Sequence, residues 1–289
     1  MGIKFLYFKP PLNFLGIDSF NKLEESKFVV IPVPFDSTES YKSGQREAPL
    51  AIIKASYHID SLFDPRTGEE AYKKGVYTTP EIEVVRGDVE KTLKRIEEVV
   101  KEVVSLNKIP ILLGGEHTIS LGALRALSKD VCFVSLDAHA DLRDELEGSK
   151  VNYGTFVRRI VEEGRKVVEI GVRSISKDEF EFSKRVENLK IFYKWDFNED
   201  FTSTLKKVIE EIQGKKVYLS IDFDVLDPSL AKSVAHPEPD GFSWNELIRI
   251  LNTVASTSKI VGFDVVEIIP DGLGEELAAK LIYKLISWI

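Results

Sequence analysis

Residues 131–141 read Val-Cys-Phe-Val-Ser-Leu-Asp-Ala-His-Ala-Asp. The first six form a short, mostly apolar run, the length of a buried strand rather than of a helix. The last five change character at once: Asp137, His139 and Asp141 alternate with two alanines. Alternate residues of an extended segment point to one side, so these three polar groups share one space. A lone strand-end aspartate is usually a turn residue or a helix cap, and a lone histidine is usually packed or solvated. The weight of the motif therefore depends on whether other segments repeat it.

They do. Apolar runs of strand length also occur at Phe28 to Ile31, Ile109 to Leu113, Val167 to Val172, Val217 to Ile221 and Ile260 to Val266. Most are rich in Val and Ile, as a sheet covered on both faces requires. Helical patterns fall between them, the clearest at Val89 to Leu106. There Val89, Leu93, Ile96, Val100, Val103 and Val104 form one stripe opposite Lys and Glu. Further helical patterns are Leu121 to Ser128, Phe156 to Glu163, Lys177 to Val186, Phe201 to Gln213, Trp244 to Ala255 and Glu275 to Trp288. Strand–helix alternation predicts an α/β fold, a doubly wound and mostly parallel sheet with helices on both faces. No repeat or linker divides the chain, so residues 1–289 are expected to form one domain. Such sheets bind ligands at the carboxyl ends of their strands.

Four of the predicted strands end in polar groups. Ile109 to Leu113 runs into Gly114-Gly115-Glu116-His117, Val131 to Leu136 into the Asp137–Asp141 motif, Val217 to Ile221 into Asp222-Phe223-Asp224, and Ile260 to Val266 into Glu267. Acidic groups gathered with no nearby lysine repel one another unless a cation neutralises them. His117, Asp137, His139, Asp141, Asp222 and Asp224 together offer carboxylates and imidazoles with no sulfur. That set favours Mn²⁺ and disfavours Ca²⁺. Six side chains are too many for one catalytic ion with an open position. They suit two ions bridged by carboxylates and water, and the reaction class is metal-assisted hydrolysis.

Composition narrows the partners. The 289 residues are 43% hydrophobic and 30% charged, a globular balance that excludes a disordered or fibrous chain. With 39 basic against 47 acidic residues the net charge is −8, so no general attraction for nucleic acid is expected. The single cysteine, Cys132, excludes an intrachain disulfide and a thiolate zinc site. The opening MGIKFLYFKPP lacks the features of a signal peptide, and no stretch of 18 apolar residues occurs, so neither export nor a membrane span is expected. The expectation is a soluble, reduced, cytoplasmic protein. One Met and one Cys beside many Glu and Lys point toward a thermophile.

These motifs resemble a known family. Gly-Gly-Glu-His-Thr (114–118), Leu-Asp-Ala-His-Ala-Asp-Leu-Arg-Asp-Glu (136–145), Ser-Ile-Asp-Phe-Asp-Val-Leu-Asp-Pro (220–228), Pro-Glu-Pro-Asp-Gly-Phe (237–242) and Phe-Asp-Val-Val-Glu-Ile-Ile-Pro (263–270) are similar to those of the ureohydrolases. That family holds arginase, agmatinase, guanidinobutyrase and formimidoylglutamase, and the likeness is nearest to agmatinases of archaeal type. It runs from about Pro32 to the C-terminus. Tyr41 to Ala55 resembles the family's N-terminal Gly-x-Arg-x-Gly-Pro loop, with Ala48 in place of the second glycine. The resemblance implies the arginase-like three-layer sandwich and two Mn²⁺ per chain. It places one ion on His117, Asp137, Asp141 and Asp222 and the other on His139, Asp137, Asp222 and Asp224. It gives Asp141 a catalytic hydrogen bond to the nucleophile and Glu267 the substrate's guanidinium. A carboxylate fits a guanidinium bidentately, which explains an acid at that point. Counting the ions, the aspartates, a hydroxide and Glu267 leaves an anionic pocket, as a cationic substrate needs. The family also implies a homo-oligomer, trimer or hexamer.

Two departures stand out. Where agmatinases have Ser-His-Gly/Ala-Thr, this chain has Asn152-Tyr153-Gly154-Thr155. The family histidine shuttles a proton to the leaving amine, and a tyrosine with an ordinary pKa near 10 is poorly matched to that task at neutral pH. Where relatives read Gly-Thr-Gly-Thr-Pro-Glu-Pro, this chain reads Ser233-Val234-Ala235-His236-Pro237-Glu238-Pro239. His236 thus falls where relatives face the guanidinium, and is a candidate replacement shuttle. The leading expectation is hydrolysis of agmatine to putrescine and urea. The alternatives are another guanidino or amidine hydrolase, acting on aminopropylagmatine, guanidinobutyrate or formimidoylglutamate, and a non-catalytic binding relative. A formimidoylglutamase would need Arg46, Arg143 or Arg173 to hold carboxylates.

Overall fold

The computed structural model describes residues 12–17, 22–65 and 68–289. The N-terminal stretch read above for a targeting signal, residues 1–11, lies outside the described residues. Eight strands make one parallel sheet: β1 (Phe28–Pro32), β4 (Val76–Thr78), β5 (Ile109–Leu113), β6 (Cys132–Leu136), β7 (Val167–Val172), β8 (Leu189–Tyr193), β9 (Lys216–Asp222) and β10 (Lys259–Val266). A small antiparallel pair, β2 (Phe63–Asp64) and β3 (Glu69–Glu70), stands apart. The order across the sheet is β4-β1-β5-β10-β9-β6-β7-β8. The four strands with polar ends, β5, β10, β9 and β6, are consecutive neighbours at its centre. All run the same way, so their carboxyl ends meet along one edge.

The helices cover both faces. Alternate residues of β1 go to opposite sides: Phe28 and Val30 join one apolar cluster, Val29 and Ile31 the other. The first cluster is closed by α1 (Ala48–Ala55), α6 (Lys194–Ile212), α7 (Trp244–Thr257) and α8 (Gly274–Trp288). The second is closed by α2 (Val89–Ser105), α3 (Ile119–Arg125) and α4 (Phe156–Glu162), with Phe182 of α5 (Lys177–Ser183) at its margin. The inner strands are buried along nearly their whole length, so their continuous Val/Ile runs follow from cover on both sides. Helix α2 buries Leu93, Ile96, Val100 and Val103, the predicted stripe, and Asp88 caps it by accepting from the Lys91 amide at 3.0 Å.

Four elements differ from the sequence-based expectation. The family-like loop contains a helix, α1, opened by Pro49 in its first turn and buried through Ala48, Ile52, Ile53 and Ala55. Helix α6 begins at Lys194 and not at Phe201, because it is two helical pieces meeting at Asp200, whose backbone is extended (φ −151°, ψ 92°). The Asp200 carboxylate accepts from the Ser203 amide, so the predicted start is the start of the second piece. The outer strands β4 and β8 were not expected, being short or only partly buried. Among the described residues no helix is long and apolar enough to cross a membrane.

Candidate active site

The two glycines after β5 let its end lie against its neighbours. A Cβ on Gly115 would stand 1.8 Å from the Phe35 carbonyl oxygen, and one on Gly114 would stand 2.5 Å from Val266. This closeness lets the Gly115 amide donate to Val33 and the Glu267 amide donate to Gly115, so the ends of β1, β5 and β10 are stitched together. His117 and Glu267 thereby come to the same place: the His117 amide donates to Glu267 Oε1 at 2.6 Å. Two site residues hold left-handed backbone, Asp141 (φ 49°) and Glu267 (φ 65°). Such conformations cost about 1–3 kcal/mol each and persist only where the surroundings fix them.

Three of the four aspartates share one construction. In each of these, one oxygen is tied to backbone and the other turns inward. Asp137 Oδ1 accepts from the His139 amide, Asp222 Oδ1 from the Asp224 amide and Asp224 Oδ1 from the Ala138 amide, at 2.6, 2.8 and 3.0 Å. The inward oxygens meet the Nδ1 atoms of the two histidines. His117 Nδ1 lies 3.0 Å from Asp137 Oδ2, 3.1 Å from Asp222 Oδ2 and 3.7 Å from Asp141 Oδ2. His139 Nδ1 lies 2.8 Å from Asp224 Oδ2 and 3.7 Å from Asp137 Oδ1. Two donor groups result, His117–Asp137–Asp141 and Asp137–His139–Asp224, and Asp137 belongs to both. All six sequence-predicted ligands are thus brought together.

Electrostatics mark the cluster as short of positive charge. Burial, and then Asp137, pushes the Asp141 carboxyl well above the ordinary range; burial, and then Asp224, does the same to Asp222. Burial opposes charge on both histidines, yet the surrounding aspartates hold each well above its usual value. Asp137, which burial would raise, is held low by the imidazoles of His117 and His139 beside it. A divalent ion removes the same strain by displacing those protons. The residues present fit such ions: His117 Nδ1 and Asp137 Oδ2 are buried with no hydrogen-bond partner, and the donors are the hard oxygen and nitrogen set expected.

A cavity of about 440 Å³ opens above, lined by His117, His139, Asp141, Asp222, Asp224 and Glu267 below. Its wall carries Tyr153, His236, Tyr41, Arg143 and Glu238. The His236 ring stacks on Tyr153 with centroids 5.2 Å apart and meets His139 edge-on at 5.9 Å. Its Nε2 lies 3.0 Å from Glu39 Oε1, and Tyr153 Oη lies 2.6 Å from Ser40 Oγ. Burial pushes the Tyr153 phenol further up. Arg173 fastens this wall to the floor by donating to the carbonyls of Asp224, Glu238 and Pro239, at 2.7, 2.9 and 2.8 Å.

Sequence reasoning missed several residues here. Gln45, fully buried, donates to both Glu39 Oε2 and Glu267 Oε2. Burial, and then the charges of Glu39 and Glu116, pushes the Glu267 carboxyl up to about 8. Glu116, also buried, is pushed up to about 7 although Thr38 and Thr118 donate to it. Asp264 and Glu169 sit within apolar strands, and a charged residue inside such a run was the available signal for both. Glu39 and Gln45 carried none, since only the folded chain brings their loop over β10.

Comparison with known proteins agrees with this geometry. The model of the arginase family matches residues 26–287. The chain belongs to the arginase family. It is a hydrolase of the ureohydrolase kind, acting on carbon–nitrogen bonds of linear amidines. It is 36% identical over 265 residues to the N(1)-aminopropylagmatine ureohydrolase of Thermococcus kodakarensis, covering 90% of each chain. It is 33% identical to the agmatinase of Pyrococcus horikoshii, covering 92% of this chain and 93% of that one. Among solved structures it resembles the agmatine ureohydrolase of Thermoplasma volcanium, with a TM-score of 0.86, 36% identity and coverage of 96% and 94%.

Proposed function

We propose that the chain hydrolyses the guanidino group of agmatine, releasing urea and putrescine, with two Mn²⁺ per chain. The observation that carries this reading is the position of Glu267, a buried carboxylate facing the same cavity as the two donor groups that share Asp137. One ion would be held by His117, Asp137, Asp141 and Asp222, and the other would be held by His139, Asp137, Asp222 and Asp224. When bound, the ions supply Lewis-acid activation of water and neutralise the aspartates.

The protein's own groups do the rest. Glu267, fixed by the His117 amide and by Gln45, takes the fork of the substrate guanidinium and sets its carbon above the floor. Asp141 accepts a hydrogen bond from the attacking water and so orients it. His236 is the group that returns a proton to the leaving amine. It faces the cavity and is gripped by Glu39 and Tyr153, a carboxylate–histidine pairing that fixes ring orientation. Tyr153 is the weaker candidate, because its hydroxyl is engaged by Ser40 and its phenol is held above its usual pKa.

A second substrate is favoured by one observation. The segment Asp144-Glu145-Leu146-Glu147 stands at the cavity mouth, where Leu146 lines the opening and Glu145 and Glu147 are exposed. An aminopropyl extension of agmatine would carry its one extra ammonium group past these acids, and the Thermococcus relative is named for that substrate. Formimidoylglutamate is disfavoured, since it brings two carboxylates and only Arg143 of the three arginines lines the cavity: Arg46 is paired with Asp36 at 2.6 Å and Arg173 is spent on carbonyls. We also take the chain to act as a homo-oligomer, a trimer or hexamer, which its solution mass tests.

The deciding experiment measures urea release by the Mn²⁺-loaded protein on agmatine, aminopropylagmatine, guanidinobutyrate and arginine, with formamide release on formimidoylglutamate. Turnover of agmatine or its aminopropyl derivative at least tenfold above the others is the expected result. Turnover confined to formimidoylglutamate, or none at all, overturns the proposal.

A further inference from the structure

One level below the site, a row of polar residues crosses the centre of the sheet. Register pairs Asp264 with Ser220, Ser220 with Ser135, and Ser135 with Glu169. Ser220 shares its face with Tyr218, two residues before it, and Tyr218 belongs to the apolar cluster under α2, α3 and α4. All four residues are fully buried.

At one end of the row the hydrogen bonds have a defined direction. Asp264 accepts from the hydroxyls of Ser120 at 2.6 Å, Tyr218 at 2.7 Å and Ser220. Ser220 Oγ also lies 2.7 Å from His117 Nε2. A serine hydroxyl has a single proton to give. With that proton given to Asp264, Ser220 can only accept from His117. Nε2 must then carry hydrogen, which leaves the Nδ1 lone pair free, and Nδ1 is the atom turned toward Asp137 and Asp222. His139, whose Nε2 faces Glu238 at 3.7 Å, has no link to this chain.

We propose that Asp264 is a positioning residue that acts through Ser220 to fix the orientation and tautomer of His117, and so sets the affinity of one of the two metal sites but not the other. The inference rests on the two-ion reading above. It goes beyond that reading by assigning a buried carboxylate outside the cavity to one ion only. Partners of this kind change metal affinity by about 10–100-fold.

The substitution that tests it is Asp264→Asn, since an amide can donate to Ser220 and reverse the chain, leaving the proton on the wrong nitrogen. Ser220→Ala cuts the same link with a smaller change and keeps the test decisive if Asp264→Asn fails to fold. The metal-free proteins are titrated with Mn²⁺ by calorimetry, and two-equivalent samples are examined by electron paramagnetic resonance. Wild type is expected to bind two ions and show a coupled pair. Asp264→Asn and Ser220→Ala are each expected to lose about 10–100-fold at one site and less than about threefold at the other, with the signal of an isolated ion at the same loading. The double variant is expected to be no weaker than either single one, because both break one chain. Ser120→Ala, which removes another donor to the same carboxylate, is expected to leave both affinities within about threefold. Equal weakening at both sites, additive effects, or an unaltered Asp264→Asn protein overturns the inference while the two-ion reading stands. A wild type that binds fewer than two ions overturns both.

Discussion

The floor of the cavity and its wall are built in different ways. The floor comes from four neighbouring strands, β5, β10, β9 and β6, whose parallel pairing places His117, Glu267, Asp222 and Asp137 side by side. The wall comes from three separate loops that supply Glu39, Tyr153 and His236. Side chains of the floor are locked by backbone amides and buried; in the wall Glu39 is held likewise by the Ser40 and Tyr41 amides, but the rings of Tyr153 and His236 rest on each other, and His236 keeps 30% of its side chain exposed. Chemistry common to a family can sit on the rigid part, while the proton route and the substrate tail belong to the part that loops can vary.

The largest effect expected is on the floor. Asp137→Ala removes a donor shared by both groups and should empty both sites, with activity falling by more than the hundredfold typical of outer partners. Metal analysis after gel filtration checks it, and retention of one tight ion would break the idea of a shared floor. Next comes the wall. His236→Ala should lower kcat by about 10²–10⁴-fold, whereas Tyr153→Phe should cost less than about tenfold, with metal content unchanged in both. The reverse order would pass the proton to Tyr153, and two active variants would leave it to water. Glu267→Gln follows. It removes a charged partner of the guanidinium, worth about 1.5–3 kcal/mol, so kcat/KM should fall ten- to more than a hundredfold while both ions stay bound. Unchanged kinetics on agmatine would remove Glu267 from substrate recognition.

The floor was legible in the sequence because each of its residues follows an apolar run of strand length. A strand end is a fixed place in an α/β fold, so Asp137, His139, Asp222 and Glu267 could be put in one space before any coordinates. The wall was legible only in part. Tyr153 and His236 were noticed as departures from a family pattern, but nothing local to either showed that their rings stack. Glu39 and Gln45 lie in a segment without periodicity, next to the helix α1 that was itself read as loop. Short or half-exposed strands such as β8 lack the continuous apolar run that reveals β6 or β7, because a strand at the sheet's edge is covered less.

Glu169 offers the smallest effect and a test of how far the floor's polar layer extends. It lies in β7 beside Ser135, and neither of its carboxylate oxygens, nor the Ser135 hydroxyl, has a hydrogen-bond partner. Burial, and then repulsion from Asp137 and Asp141, pushes its pKa well above the usual 4.5. An acid whose pKa is raised by folding binds its proton more tightly in the native state than in the unfolded one. Its penalty is therefore absent below pH 4.5, grows as pH rises from that value toward the raised native pKa, and is constant beyond it. Glu169→Gln keeps the shape and removes the titration. In the metal-free protein the variant should gain on wild type as pH rises from about 5 to 8, by on the order of 1–3 kcal/mol, the cost of an unsatisfied buried group. Urea unfolding of both proteins across that range measures the gap. Parallel stability curves would mean that water or a neighbour already satisfies Glu169, so that the strained layer ends at Ser220 and Asp264.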